Sequence, residues 1–343
     1  MDADEKFEII TRNLQEVVDE DRLNEVLKTR DLKVYWGTAP TGRPHLGYFV
    51  PMMKIADLLK AGCHVTILFA NIHAYLDSMK SSWELLDKRT NYYEFLIKEM
   101  LTLVGVPLEK LKFVKGTEFQ LQDKYTLDMY KMSALASTRD TKKAGADVVK
   151  QSETPKMSGL LYPILQALDE VYLDVDAQFG GVDQRKIFMF AREFLPKIGY
   201  EKRVHLMNFL IPGLGQSGKM SSSEPNSKVD FDDDDDTIKR KLKKAHSVDG
   251  EVEGNGVLAI LKFIIYPKLK NEDRKFIVDR PEQYGGKVEF DDFEKVEYAF
   301  SQKELSSFDL KMAVADEIIK LISPLRNAIS KNEKLYKESY PEE

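Results

Sequence analysis

The run Val65-Thr66-Ile67-Leu68-Phe69-Ala70 is apolar almost without alternation. A strand with one wet face alternates polar and apolar residues; this one must be covered on both faces, as in a parallel sheet sandwiched by helices. Its neighbours fit. A short apolar strand at Leu32 to Trp36 precedes it, and a helical stretch from His45 to Leu59, stopped by Gly62, lies between. A helix at Ser82 to Val104 and a strand at Leu111 to Val114 follow. Such alternation predicts an α/β fold with right-handed crossovers. Residues 5–30 read as one or two amphipathic helices, and 116–160 as a polar helical insertion. The alternation resumes with a helix at Tyr162 to Tyr172, strand material near Val175, a helix at Val182 to Leu195 and a strand at Val204 to Leu210. The polar stretch Ser221 to Asp236 then marks a boundary. Helices are expected near Thr237–Ala245, Gly256–Ile265 and Leu310–Ala328. The expected domains are 1–228 and a helical 229–343.

A content of 43 % hydrophobic residues allows a real core, and a net charge of -6 excludes nucleic-acid binding by bulk charge alone. A local basic face stays open. The single cysteine, Cys63, excludes an intrachain disulfide, and the five histidines lack zinc-ligand spacing, so no metal ligands are assigned. The most apolar segment, Val257 to Pro267, is too short to cross a membrane and carries Lys262. The first residues have no signal-peptide pattern, so an intracellular protein is expected.

Three groups of residues carry chemistry. The turn Thr38 to Pro44 leads into His45-Leu46-Gly47-Tyr48, after a strand and at a helix start. Ligands of open α/β sheets bind there, and free helix N–H groups suit phosphates. Gly47 leaves a flat patch for a base, and His45 can donate to a phosphate oxygen as charge builds. The second group, Gly213 to Ser223, mimics a Walker A loop, but Met220 stands where that loop needs Ser or Thr. Its glycines also fit a dinucleotide fingerprint, at the wrong place in the chain. It reads better as a mobile loop bringing Lys219 and several serines to a pyrophosphate. Third, Tyr162, Gln166 and Asp169 fall at i, i+4 and i+7 on one helix face flanked by leucines, and such a stripe should line a pocket. Pro163 places that helix start near Tyr162. The turn at Gly180 to Arg185 adds Gln184.

Together these residues resemble the class I aminoacyl-tRNA synthetases, and within them the tyrosine enzymes of eukaryotic and archaeal type, over nearly the whole chain. His45-Leu46-Gly47-Tyr48 is similar to their His-Ile-Gly-His motif, and Lys219-Met220-Ser221-Ser222-Ser223 to their Lys-Met-Ser-Lys-Ser motif. Tyr48 and Ser222 depart from those patterns and leave Lys219 as the only charge of the second motif. The resemblance implies a Rossmann-like parallel-sheet catalytic domain with a helical insertion, followed by an all-α anticodon-binding domain. It implies activation of L-tyrosine with ATP and magnesium, then transfer to tRNA(Tyr). His45, Gly47, Lys219, Ser221 and Ser222 would be catalytic. Gly37, Thr38, Pro44, Met220 and Ser223 would complete the ATP site. Tyr35 and Asp169 would hold the phenolic hydroxyl, and Tyr162, Gln166 and Gln184 the amino group. A site built around that hydroxyl leaves Asp169 unpaired when phenylalanine binds, so no editing domain is needed.

Tyr284 and Asp309 would read the first anticodon base, by stacking and by accepting N–H groups. The run Lys239 to Lys244 could follow the tRNA backbone, balance Asp232 to Asp236 as a solvated face, or serve nuclear import from an otherwise cytoplasmic location. The resemblance also implies a homodimer joined through residues 116–160; the extra C-terminal module that some eukaryotic members carry is not expected here. Tryptophanyl-tRNA synthetase is the nearest rival; Tyr35, Asp169 and Gln184 suit a phenol instead. A small nucleotidyltransferase, a relative without catalysis and a dinucleotide oxidoreductase fit the residues less well.

Overall fold

The computed structural model describes residues 1–77, 79–106, 108–149, 156–216, 218, 220 and 225–341. Six strands form one sheet: β1 (Leu14–Val18), β2 (Lys33–Thr38), β3 (His64–Phe69), β4 (Leu111–Lys115), β5 (Ala177–Gly181) and β6 (Val204–Asn208), in the order β1-β6-β5-β2-β3-β4. From β6 to β4 all pairings are parallel, as the apolar run at Val65 demanded.

Alternation along the central strands divides the interior. Val34, Trp36, Ile67 and Phe69 point into the larger core, which runs on without a break into the helical half through Leu258, Ile318 and Leu325. Tyr35 and Leu68 point the other way, into a second cluster with Ile164, Leu168, Tyr125 and Met132. Tyr35 therefore faces the helix Met157–Tyr172 and the helices of the insertion, Asp123–Leu135 and Thr138–Ala144.

Three expectations need correction. Residues 5–30 are not helix alone: Ala3–Thr11 and Glu20–Thr29 are helices, but Leu14–Val18 is a strand antiparallel to β6. Asn13 (φ 58°) and Asp19 (φ 75°) break the helix on either side of it in the left-handed region, which short polar side chains tolerate. The helix expected from Tyr162 begins at Met157, so Pro163 lies inside it and not in its first turn. Its missing N–H leaves the Gly159 carbonyl without the usual bond, a local cost outweighed by burial of the helix. The helical half also carries a two-stranded antiparallel ribbon, β7 (Phe276–Val278) with β8 (Val288–Phe290). Its helices are Asp235–Lys244, a helical stretch from Gly256 to Asn271 with a π-turn at Leu261–Ile265, Phe293–Ser301, Ser307–Lys331 and Glu333–Ser339.

Candidate active site

The chain leaves β2 towards β3 and β4 on one side, while β5 and β6 lie on the other, so β2 and β5 flank the point where strand order reverses. A crevice opens outside their carboxyl ends, where such sheets bind ligands. It contains a cavity of about 210 Å³ lined by Tyr35, Tyr162, Gln166, Asp169 and Gln184, with Gly37 and Thr38 at the strand end. The five pocket residues inferred from sequence thus share one cavity.

Asp169 is buried, and its Oδ1 accepts from Gln120 Nε2 at 2.7 Å and from the Tyr125 hydroxyl at 2.9 Å. A Cβ at Gly116 would fall 2.4 Å from Gln120 Oε1, so any larger residue there would push the Gln120 side chain out of its present position. Among the described residues Asp169 Oδ2 has no hydrogen-bond partner. Neither have both ring nitrogens of buried His73, whose Nε2 lies 4.0 Å from that oxygen, nor Gln178 Oε1; His73 and Gln178 also line the cavity. Buried polar atoms are normally paired, so this concentration of unpaired ones marks where a polar ligand would complete the site. Elsewhere in the cavity the Tyr35 hydroxyl donates to the Gln166 carbonyl at 3.4 Å, and Gln166 Nε2 donates to Gln184 Oε1 at 3.1 Å.

Burial pushes the Asp169 carboxyl up to about 7 and pulls His73 down to about 4. A phenol donating to Oδ2 favours the ionised carboxylate, so a phenolic ligand should bind with proton release below neutral pH. The affinity for such a phenolic ligand should rise with pH to about 7 and then level off. Fluorescence titrations from about pH 5.5 to about 8.5 would reveal this, and a flat profile would contradict it. Without ligand the sign of the linkage is opposite. The raised carboxyl stabilises the fold fully below its unfolded value near 3.8, and that contribution is lost as pH rises through 7.

The first motif lies beside this cavity. His45 is buried, and its Nδ1 accepts from the Gly47 N–H at 3.2 Å. The proton therefore sits on Nε2. Burial, with Lys228 nearby, lowers the imidazole to about 4, so it is a neutral donor at pH 7. Its backbone bridges to Asp230, and the Leu46 N–H donates to the Val229 carbonyl at 2.9 Å. Gly47 is needed for space: a Cβ would lie 3.0 Å from the His45 ring and 3.6 Å from Met220 Sδ. Met220 of the second motif therefore lies close to Gly47 of the first. Pro44 is buried at the turn. Lys219, Ser221, Ser222 and Ser223 lie outside the described residues.

In the helical half, Tyr284 is 65 % exposed, on a turn ahead of Gly285. Asp309 sits in the first turn of Ser307–Lys331, accepting from the Ser306 hydroxyl at 2.7 Å. Arg280 joins them: it donates to the Gly286 carbonyl at 3.2 Å and lies 3.8 Å from Asp309 Oδ2. Sequence reasoning missed Arg280, and also Gln120, Tyr125, His73 and Gln178. A lone polar residue in an apolar helix or strand was the available signal for the last two.

A larger cavity, about 380 Å³, lies between Phe49–Lys60 and Lys262–Asn271. Among the described residues none of the unpaired buried atoms belongs to its lining, and Lys54 and Arg12 there are already bonded to Asp57. The smaller cavity is the better candidate for chemistry.

The family model described as tRNA synthetases class I (W and Y) matches residues 27–323. The cytoplasmic tyrosine–tRNA ligase of Danio rerio is 57 % identical over 344 residues, spanning 100 % of this chain and 64 % of that protein. That of Saccharomyces cerevisiae is 50 % identical, over 99 % of this chain and 88 % of the other. A solved tyrosyl-tRNA synthetase complexed with L-tyrosine, from Archaeoglobus fulgidus, is 36 % identical with a TM-score of 0.88, covering 96 % of this chain and 100 % of that one. This chain thus spans less than two thirds of the Danio rerio relative. With its fold, its two motifs and these likenesses, the chain belongs to the class I tRNA synthetases of the W and Y family.

Proposed function

We propose that this protein is a tyrosine–tRNA ligase: it joins L-tyrosine to ATP, releasing pyrophosphate, and passes the tyrosyl group to the 3′ end of tRNA(Tyr). The observation that carries this reading is Asp169, a buried carboxylate with one oxygen fully bonded and the other unpaired in a cavity of amino-acid size. Tyr35 and Asp169 take the phenolic hydroxyl. Tyr162, Gln166 and Gln184 take the amino group. Gly37, Thr38, Pro44, His45 and Gly47 meet ATP, and Lys219, Met220, Ser221, Ser222 and Ser223 serve its phosphates.

The chemistry is in-line attack of the tyrosine carboxylate on the α-phosphorus, with pyrophosphate leaving. The protein contributes position and charge stabilisation. His45 donates from Nε2 to a phosphate oxygen as charge builds, and Lys219 meets the leaving group. Magnesium would travel on the triphosphate. Among the described residues no group of three or more His, Cys, Asp or Glu side chains could hold a metal, and this ion ordinarily keeps waters and substrate phosphates as ligands.

Residues 1–228 form the catalytic part and 229–343 the anticodon-binding part in this reading, Tyr284 stacking on a splayed base and Asp309 accepting its N–H groups. A homodimer is supported by exposed apolar residues on the insertion, among them Leu127 and Tyr130. A cytoplasmic location agrees with the names of the relatives. Nuclear import through Lys239 to Lys244 has no such support, and Lys241 is held inside by Asp233 at 2.6 Å. No helix among the described residues is long and apolar enough to cross a membrane. The purified protein should charge tRNA(Tyr) with tyrosine in the presence of ATP. Adenylate formation without any charging would refute the second half of the reaction.

A further inference from the structure

We propose that Arg89, with Tyr336 and Tyr340, positions the loop Thr41–Arg43 that delivers His45 to ATP. The segment around Glu333–Ser339 would then belong to the adenylation machinery without touching substrate. The inference rests on the reading of the first motif given above.

The loop has no secondary structure of its own, so its carbonyls need other partners. Arg89 Nη1 donates to the Thr41 carbonyl at 2.8 Å. The Gly42 carbonyl accepts from the hydroxyls of Tyr93 and, at 3.0 Å, Tyr340. Arg43 Nη1 donates to the Tyr336 hydroxyl at 2.8 Å and to Asp232 Oδ2 at 3.2 Å. Each of the three residues before Pro44 is thus gripped from outside the loop.

Arg89 is the junction of these grips. It also donates to the carbonyls of Lys80 at 2.8 Å and Ser339 at 3.1 Å, and its guanidinium lies 4.9 Å from the Tyr340 ring centre. Three carbonyls from distant parts of the chain and an aromatic face suit a planar fork of donors; a lysine could serve only some of them. Ser339 is fully buried and returns a bond from its hydroxyl to the Lys88 carbonyl at 2.9 Å. Beyond the loop, the Leu46 N–H is held by Val229, so the path to His45 is fixed on both sides. Arg89, Tyr336 and Tyr340 do not line the tyrosine cavity. Loosening them should disturb ATP and spare tyrosine.

The test compares Arg89→Ala, Arg89→Lys and Tyr340→Phe with the wild-type protein. Pyrophosphate exchange is measured with ATP and tyrosine varied separately. Amide hydrogen exchange of residues 41–48 and thermal melting are read alongside. Arg89→Ala should lower kcat/KM for ATP by about tenfold or more, the effect of losing at least one net hydrogen bond, with KM for tyrosine within about twofold. Arg89→Lys should recover part of the loss, and Tyr340→Phe should cost about threefold. Amide exchange at 41–48 should accelerate in Arg89→Ala. An unchanged ATP constant, or equal losses for ATP and tyrosine with a lowered Tm, would overturn the proposal. If the wild-type protein shows no tyrosine-dependent exchange, the functional reading fails instead. The amide exchange still decides whether Arg89 holds the loop, and unchanged rates there reject it.

Discussion

Replacing Asp169 by alanine is expected to raise KM for tyrosine roughly ten- to a hundredfold, the range set by losing a hydrogen bond to a charged group. The same change should narrow the gap between tyrosine and phenylalanine. With the carboxylate present, phenylalanine leaves Oδ2 unpaired in a buried site; with alanine there is nothing left to strand. Gln120 and Tyr125 lose their shared acceptor in this variant, so part of the loss could come from a shifted pocket. Asp169→Asn separates the two effects, because it keeps the shape and an oxygen for those donors but removes the charge. A narrowed gap in both variants supports the assignment. Full discrimination in Asp169→Ala, measured by exchange with each amino acid, would move the phenol elsewhere.

The second large effect is expected at His45. Its Nδ1 is occupied by the Gly47 N–H, so Nε2–H is the atom available to a phosphate, and burial keeps the ring uncharged at working pH. A donor whose contact strengthens as charge builds in the transition state contributes to kcat more than to binding. His45→Ala should therefore slow adenylation by about a hundredfold or more, the usual cost of one such donor, and leave KM for tyrosine nearly unchanged. His45→Asn, which can offer an N–H from a similar position, should recover part of the rate. Single-turnover adenylate formation under saturating ATP and tyrosine measures this. A pure rise in KM for ATP with kcat intact would assign His45 to ground-state binding.

The pocket was legible in sequence where a regular period carried it. Tyr162, Gln166 and Asp169 sit one above another because a helix returns every three to four residues, and the leucines between them point to burial. The start of that helix was misjudged because Pro163 is a breaker locally, while its apolar face is buried regardless. The strand Leu14–Val18 was hidden for a similar reason. Its polar Gln15 and Glu16 fit an amphipathic helix, and only the two left-handed residues bracketing it force the change. His73 and Gln178 were missed because a single polar side chain in an apolar run carries no period.

Nothing local could have disclosed the bond from Tyr340 to Gly42. The two residues are joined by the packing of Glu333–Ser339 on Leu86–Val104, and such a contact exists only once the chain has folded. Gln120 is another case. It reaches Asp169 across the insertion because Gly116 makes room for it, a consequence of turn geometry that composition does not encode.

The most direct test of the central claim is ATP–pyrophosphate exchange by the purified protein, run with each of the twenty amino acids in turn and without tRNA. The account predicts exchange with tyrosine, little with phenylalanine and none with tryptophan. Exchange driven by tryptophan, or by phenylalanine as well as by tyrosine, would contradict the role given to Asp169, and no exchange with any amino acid would contradict adenylation itself.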